Sequence, residues 1–88
     1  MITPTEEIVI IYGTSWCYDT RRARTAFDTR KIPYKWVDID KDPEGMAFVK
    51  QVNRGNRSVP TILFPDGSVL VEPSETELVS RLNLLKPA

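Results

Sequence analysis

Five consecutive apolar residues, Ile8 to Tyr12, end abruptly at Gly13, and the first four of them are β-branched. A continuous run of this kind reads as a strand buried on both faces. Such a strand obliges the rest of the chain to supply cover above and below it. The following residues are patterned for that task. From Tyr18 to Arg30 the apolar positions Ala23, Ala26 and Phe27 fall three and four apart, a helix with one apolar stripe and a solvated, arginine-rich face. Ile32-Pro33 stops it. Tyr34 to Ile39 is a second strand. Asp42 then reads as an N-cap with Pro43 at the first helical position, and Met46, Phe48, Val49 and Val52 form the helix's apolar stripe.

A loop from Asn53 to Ser58 leads through Val59-Pro60 into a third strand, Thr61 to Phe64. Pro65-Asp66-Gly67-Ser68 has turn composition, and Val69 to Val71 completes a hairpin. Ser74 with Glu77 three residues on fits a capping box. It opens a last helix carrying Leu78, Val79, Leu82 and Leu85. The predicted order is β-α-β-α-β-β-α, which is an α/β fold. Two β-α-β-type connections imply a parallel pair of strands, and the hairpin adds antiparallel ones. The expected architecture is a mixed four-stranded sheet flanked by three helices, in one domain spanning residues 1–88 with its core at about 8–85.

The chemistry is bounded by what the chain lacks. Its 88 residues include one cysteine, Cys17, and no histidine. An intramolecular disulfide is therefore impossible. A zinc site built from nitrogen and sulfur ligands of one chain is excluded in practice, and no metal is expected. Ser-His-Asp and Cys-His catalysis lack their base. The 12 basic and 12 acidic side chains cancel, which argues against nucleic acid or an anionic membrane surface as a partner. No apolar run approaches the roughly 20 residues that span a bilayer. The first seven residues are polar and acidic, unlike a secretion signal, so a cytoplasmic location is expected. Asp38-x-Asp40-x-Asp42 superficially resembles the start of a calcium loop. Pro43 stands where that loop needs glycine and Val49 where it needs glutamate, so a strand end followed by a helix cap is the better reading.

What remains is Cys17, in Thr14-Ser15-Trp16-Cys17-Tyr18-Asp19-Thr20 at a strand-to-helix junction. Backbone N–H groups and the helix dipole favour a thiolate there. Asp19 opposes that charge, Arg21 and Arg22 favour it if they fold back, and the Thr20 hydroxyl is a candidate donor to the sulfur. The competing reading is a small buried hydrophobe. Trp16 reads equally as core or as surface beside the thiol. Arg54 and Arg57 read as a solvated basic loop or as a contact for an acidic group.

The turn around Cys17, the segment Ser58-Val59-Pro60-Thr61, and Phe64-Pro65-Asp66-Gly67-Ser68 through Pro73-Ser74 occur in the order found in glutaredoxins. The chain resembles that family, with its thioredoxin-like fold, from about Ile8 to Leu84. The stretch Val52-Asn53 through Gly55-Asn56-Arg57-Ser58-Val59-Pro60-Thr61, followed by Asp66-Gly67-Ser68 and Pro73-Ser74, is most similar to mycoredoxins, the glutaredoxins that work with mycothiol. The resemblance implies Cys17 as nucleophile, a cis Val59-Pro60 bond whose backbone positions a bound disulfide, and Trp16, Tyr18, Arg57 and Ser74 around a small-thiol groove. It implies mycothiol or glutathione as co-substrate, with no permanently bound cofactor, and protein mixed disulfides as substrates. A monomer is expected, and the single thiol also permits a disulfide-linked dimer through Cys17. One position departs from the two-cysteine pattern: Thr20 stands where a second cysteine would resolve the intermediate. The implied activity is thus a monothiol thiol-disulfide oxidoreductase. An iron–sulfur cluster-binding module and a redox-inactive adaptor are the alternatives, although Tyr18-Asp19 does not match the cluster-binding turn.

Overall fold

The computed structural model describes residues 8–85. The polar N-terminal run used for the localisation expectation lies outside them. The elements are β1 (Val9–Gly13), α1 (Tyr18–Thr29), β2 (Tyr34–Asp38), α2 (Pro43–Val52), β3 (Thr61–Leu63), β4 (Val69–Val71) and α3 (Glu75–Leu85). They form one mixed sheet in the order β2-β1-β3-β4, which is the predicted fold class. β1 pairs in parallel with β2, with Val9 opposite Tyr34 and Gly13 opposite Asp38. On its other edge it pairs antiparallel with β3, with Ile11 opposite Ile62. β3 and β4 close the hairpin. Only the first crossover therefore yields a parallel pair. The connection through α2 brings the chain back on the far side of β1 in the reverse direction.

The two faces of β1 are covered unequally. Val9 and Ile11 join Ala23 and Phe27 of α1, Ile62 and Phe64 of the β3 segment, and Leu78 and Leu82 of α3 in the main core. Strand side chains alternate, so Ile10 and Tyr12 point the other way, and both are half-buried. There Tyr12 stacks on Phe48 of α2, ring centroids 4.7 Å apart. The expectation of complete burial on both faces holds for one face only. The α2 stripe is correspondingly narrow: Val49 is fully buried, Met46 and Phe48 are half-buried, and Val52 is exposed. Val52 is the last residue of α2.

The local signals act as their chemistry requires. The Asp42 carboxylate accepts from the Gly45 N–H at 3.0 Å. The Ser74 hydroxyl accepts from the Glu77 N–H, and the Glu77 carboxylate accepts from the Ser74 N–H. Gly67 takes a φ of 91° in the β3–β4 turn, a conformation that glycine adopts without a Cβ penalty. Among the described residues no helix is long and apolar enough to cross a membrane.

Candidate active site

β1 runs into Gly13, and the chain must turn at once to start α1. A Cβ on Gly13 would lie 2.6 Å from Cγ2 and Oγ1 of Thr20, so the missing side chain lets the strand end lie against the first turn of α1. The turn is tied by the Cys17 N–H donating to the Thr14 carbonyl at 3.3 Å. The Ile39 N–H donates to the Gly13 carbonyl at 2.9 Å and anchors it to the end of β2.

Cys17 is the N-cap of α1, with extended backbone angles of φ −80° and ψ 125°. Its carbonyl already accepts the first helical bond, from the Arg21 N–H at 3.0 Å. An N-cap side chain normally accepts from one of the next N–H groups. Here the half-buried thiol makes no such bond. The first-turn N–H groups have no acceptor within the helix, and the sulfur stands at this N-terminal end of α1.

The neighbours of the thiol are now fixed. Trp16 and Tyr18 are each 68% exposed, so Trp16 is surface and not core. Trp16 Nε1 donates to Asp40 Oδ2 at 2.9 Å, and Arg57 Nη2 donates to Asp40 Oδ1 at 3.0 Å. One carboxylate from the β2–α2 turn thus joins the cysteine turn to the loop before Pro60. Arg22 does not fold back on the sulfur. It lies between Asp19 at 3.4 Å and Glu75 at 3.9 Å, linking the starts of α1 and α3. Thr20 faces inward, fully buried, and its hydroxyl has no partner; the candidate bond to Cys17 is not made. A threonine is small and apolar enough to face the core at that helical position, and the core takes it.

The Val59–Pro60 peptide bond is cis. Pro60 is buried and Val59 half-buried. The Pro60 carbonyl accepts from the Glu72 N–H at 2.9 Å, whereas no backbone hydrogen bond engages Val59 among the described residues. Thr61 braces this segment: its hydroxyl donates to the Ser58 carbonyl at 2.7 Å and accepts from Asn53 Nδ2 at 3.1 Å. Asn53 also donates to the Val49 carbonyl at the end of α2.

A groove of about 210 Å³ lies between α1 and α3, lined by Asp19, Arg22, Pro60, Pro73 and Glu75 among others. Ser74 is exposed, adjacent to that lining, and engaged with Glu77. Four of the residues named from sequence fall on two flanks. Trp16 and Arg57 stand together through Asp40. Pro60, with Pro73 and Glu75 on either side of Ser74, borders the α1–α3 groove. Asp40, Asn53 and Thr61 were not among the sequence candidates. The only sequence signal for Asp40 was its place between two other aspartates, which read as a strand end and cap.

Comparisons with known proteins agree with this geometry. The family model described as Glutaredoxin matches residues 9–69. The chain is 46% identical over 72 residues to the Mycobacterium tuberculosis (H37Rv) protein named "Putative glutaredoxin Rv3198A", covering 82% of this chain and 86% of that one. It is 36% identical over 77 residues to mycoredoxin 1 of Corynebacterium glutamicum, covering 88% and 95%. Among solved structures, the Archaeoglobus fulgidus glutaredoxin superposes with a TM-score of 0.69 at 20% identity, covering 93% of this chain and 96% of that one. A buckwheat glutaredoxin in complex with glutathione gives the same TM-score at 19% identity, covering 88% and 72%. These two show the shared fold. With a half-exposed cysteine opening α1, a thioredoxin-like sheet and relatives of this closeness, the chain belongs to the glutaredoxin family, and its role is thiol–disulfide redox chemistry.

Proposed function

We propose that this protein reduces mixed disulfides between proteins and a low-molecular-weight thiol by a monothiol route, acting as a single domain. The observation that carries the reading is Cys17 itself: the only thiol in the sequence, half-exposed, at a helix N-cap with no cap bond. The Cys17 thiolate attacks the small-thiol sulfur of the mixed disulfide. The protein thiolate leaves and takes a proton, and Cys17 is left bonded to the small thiol. A second small thiol, as its thiolate, attacks the small-thiol sulfur of that adduct. Cys17 is released as a thiolate and the small thiol departs as its symmetrical disulfide. Thr20 cannot perform the second attack, so the outside thiol is required.

In this reading the unbonded Val59 backbone offers a strand-like contact to the disulfide, and Pro60 holds that segment in place. Trp16, Tyr18, Arg57 and Ser74 border the small-thiol site. Mycothiol is the first candidate, supported by the likeness to mycoredoxin 1. Glutathione is the second, supported by the fold shared with a glutathione-bound glutaredoxin. The reading also takes the protein as cytoplasmic and monomeric, with its single thiol permitting a disulfide-linked dimer through Cys17.

The test is mixed-disulfide reduction assayed in parallel with mycothiol and glutathione. Thiol-dependent turnover is expected, and Cys17→Ser should abolish it. Turnover that survives Cys17→Ser, or none with either thiol, would overturn the proposal. A purified protein with visible absorbance would point instead to a cluster-binding module.

A further inference from the structure

The Asp40 carboxylate holds both Trp16, next to the thiol, and Arg57, the cation on that flank. Its two oxygens are used separately, Oδ2 for the indole and Oδ1 for the guanidinium, so one side chain sets the position of the ring and the charge beside it. Asp40 is itself fixed: its N–H donates to Asp38 Oδ1 at 3.0 Å. The Arg57 charge on this flank is therefore offset by Asp40, with the Asp38 carboxylate one step behind. The opposite flank is similar. Arg22 lies between Asp19 and Glu75. The N-terminus of α3, which would otherwise suit an anion, has its Ser74 and Glu77 N–H groups taken by the capping box, with a Glu77 oxygen already there. A thiol whose carboxylates seek Arg57 or the N-terminus of α3 competes with Asp40 or with Glu77. A thiol that brings hydroxyls need not.

We infer that Asp40 is a specificity-determining residue: by holding Arg57, it turns the Cys17 site away from carboxylate-bearing thiols and toward uncharged, hydroxyl-bearing ones. The inference deepens the function proposed above and rests on it for its biological meaning. Its physical content concerns the charge seen by a disulfide approaching Cys17. An exposed ion pair is worth little to stability, but an unbalanced charge on the flank of a thiol alters the local concentration of an approaching anion, and salt screens the effect.

The charge is read by reacting the intact protein with two aromatic disulfides, the dicarboxylate dithiobis-nitrobenzoate and the uncharged dithiodipyridine. In both, the Cys17 thiolate attacks one sulfur, the S–S bond breaks, and an aromatic thiolate with its own absorbance band leaves as Cys17 becomes the mixed disulfide. Asp40→Asn keeps an acceptor for the indole and removes the charge. It should raise the ratio of anionic to neutral rate about three- to fivefold at low ionic strength. That gain should fade toward unity at about 1 M salt. Arg57→Gln, which leaves Asp40 unpaired, should move the ratio in the opposite direction. In Asp40→Asn/Arg57→Gln the gain should disappear. Asp28→Asn makes the same change in net charge near the far end of α1, roughly 16 Å along the helix, and should leave the ratio within about 1.5-fold.

A gain in Asp40→Asn no larger than in Asp28→Asn, or one that survives loss of Arg57, would overturn the inference. These probes react with any accessible thiol, so the result stands apart from natural turnover. In the turnover assay, Asp40→Asn should lower KM with glutathione, which carries two carboxylates, and not with mycothiol, which carries none. Wild-type turnover with no such split in Asp40→Asn sinks the inference alone. A protein that turns over neither thiol sinks the proposed function instead.

Discussion

Thr20 and Thr61 have no solvent-exposed surface, and their hydroxyls differ in one respect. That of Thr61 donates to the Ser58 carbonyl and accepts from Asn53. That of Thr20 has no partner, as is also true of Thr14. A buried hydroxyl without a partner carries its desolvation penalty uncompensated. Valine matches threonine in shape, so the same substitution should act with opposite sign at the two positions. Thr20→Val should stabilise by about 1 kcal/mol, and Thr61→Val should destabilise by about 1–3 kcal/mol because it strands the Ser58 carbonyl and one N–H of the Asn53 amide. Urea unfolding of the two variants checks this, and a destabilised Thr20→Val would show that its hydroxyl is satisfied in solution. None of this was legible in the sequence. Thr20 was conspicuous as the residue in place of a cysteine, but whether a hydroxyl finds a partner depends on which backbone groups the fold leaves free around it.

Elements were legible wherever their ends carry local chemistry. Asp42-Pro43 and Ser74-x-x-Glu77 start helices through bonds spanning three residues, and Asp66-Gly67 sets a hairpin through the turn itself. The Trp16–Asp40–Arg57 contacts span 24 and 17 positions. They exist only because β2 lies beside β1, so no local pattern announces them. The hairpin also gives a pH dependence. Asp66 Oδ1 accepts from the Ser68 hydroxyl at 2.6 Å and the Ser68 N–H at 2.9 Å. The hydroxyl bond first, then the backbone bond, holds the Asp66 carboxyl below its ordinary value, with the charge of nearby Arg81 acting in the same direction. The folded chain thus binds this proton more weakly than the unfolded chain. The resulting stability is present above the unfolded value of about 3.9 and is lost as pH falls through the depressed folded value. Wild type should be more stable than Asp66→Asn at pH 7, and the gap between their urea midpoints should narrow below about pH 4. A gap independent of pH would remove this role from the carboxylate charge.

At the scale of the molecule, the sheet's two faces bear different loads. The α1–α3 face holds the connected core, with Phe27 and Leu82 fully buried within it. The α2 face rests on Val37, Ile39 and Val49 with the Tyr12–Phe48 stack. The apolar periodicity of α1 and α3 exposed the first face in advance. The thinner second face was overestimated, because a run of apolar residues in β1 does not say how much the opposing helix can cover. With one cysteine in the sequence, no internal disulfide limits the unfolded state, so stability depends on packing against that first face. Phe27 is its largest fully buried side chain, set edge-on to Tyr34 with ring centroids 5.4 Å apart. Phe27→Ala should cost about 3–5 kcal/mol, a large part of the 5–15 kcal/mol typical of a folded domain. For a chain of this size each kcal/mol moves the thermal midpoint by about 4–8 °C, so calorimetry should show a drop of at least about 12 °C. Phe27 sits nearly three turns beyond Cys17 along α1. Below its lowered midpoint the variant should therefore keep Cys17 reacting with a neutral disulfide at close to the wild-type rate. A smaller thermal shift would mean that α1 and α3 collapse onto the cavity. A slowed thiol at low temperature would mean that the core face and the helix start are coupled more tightly than their separation along α1 implies.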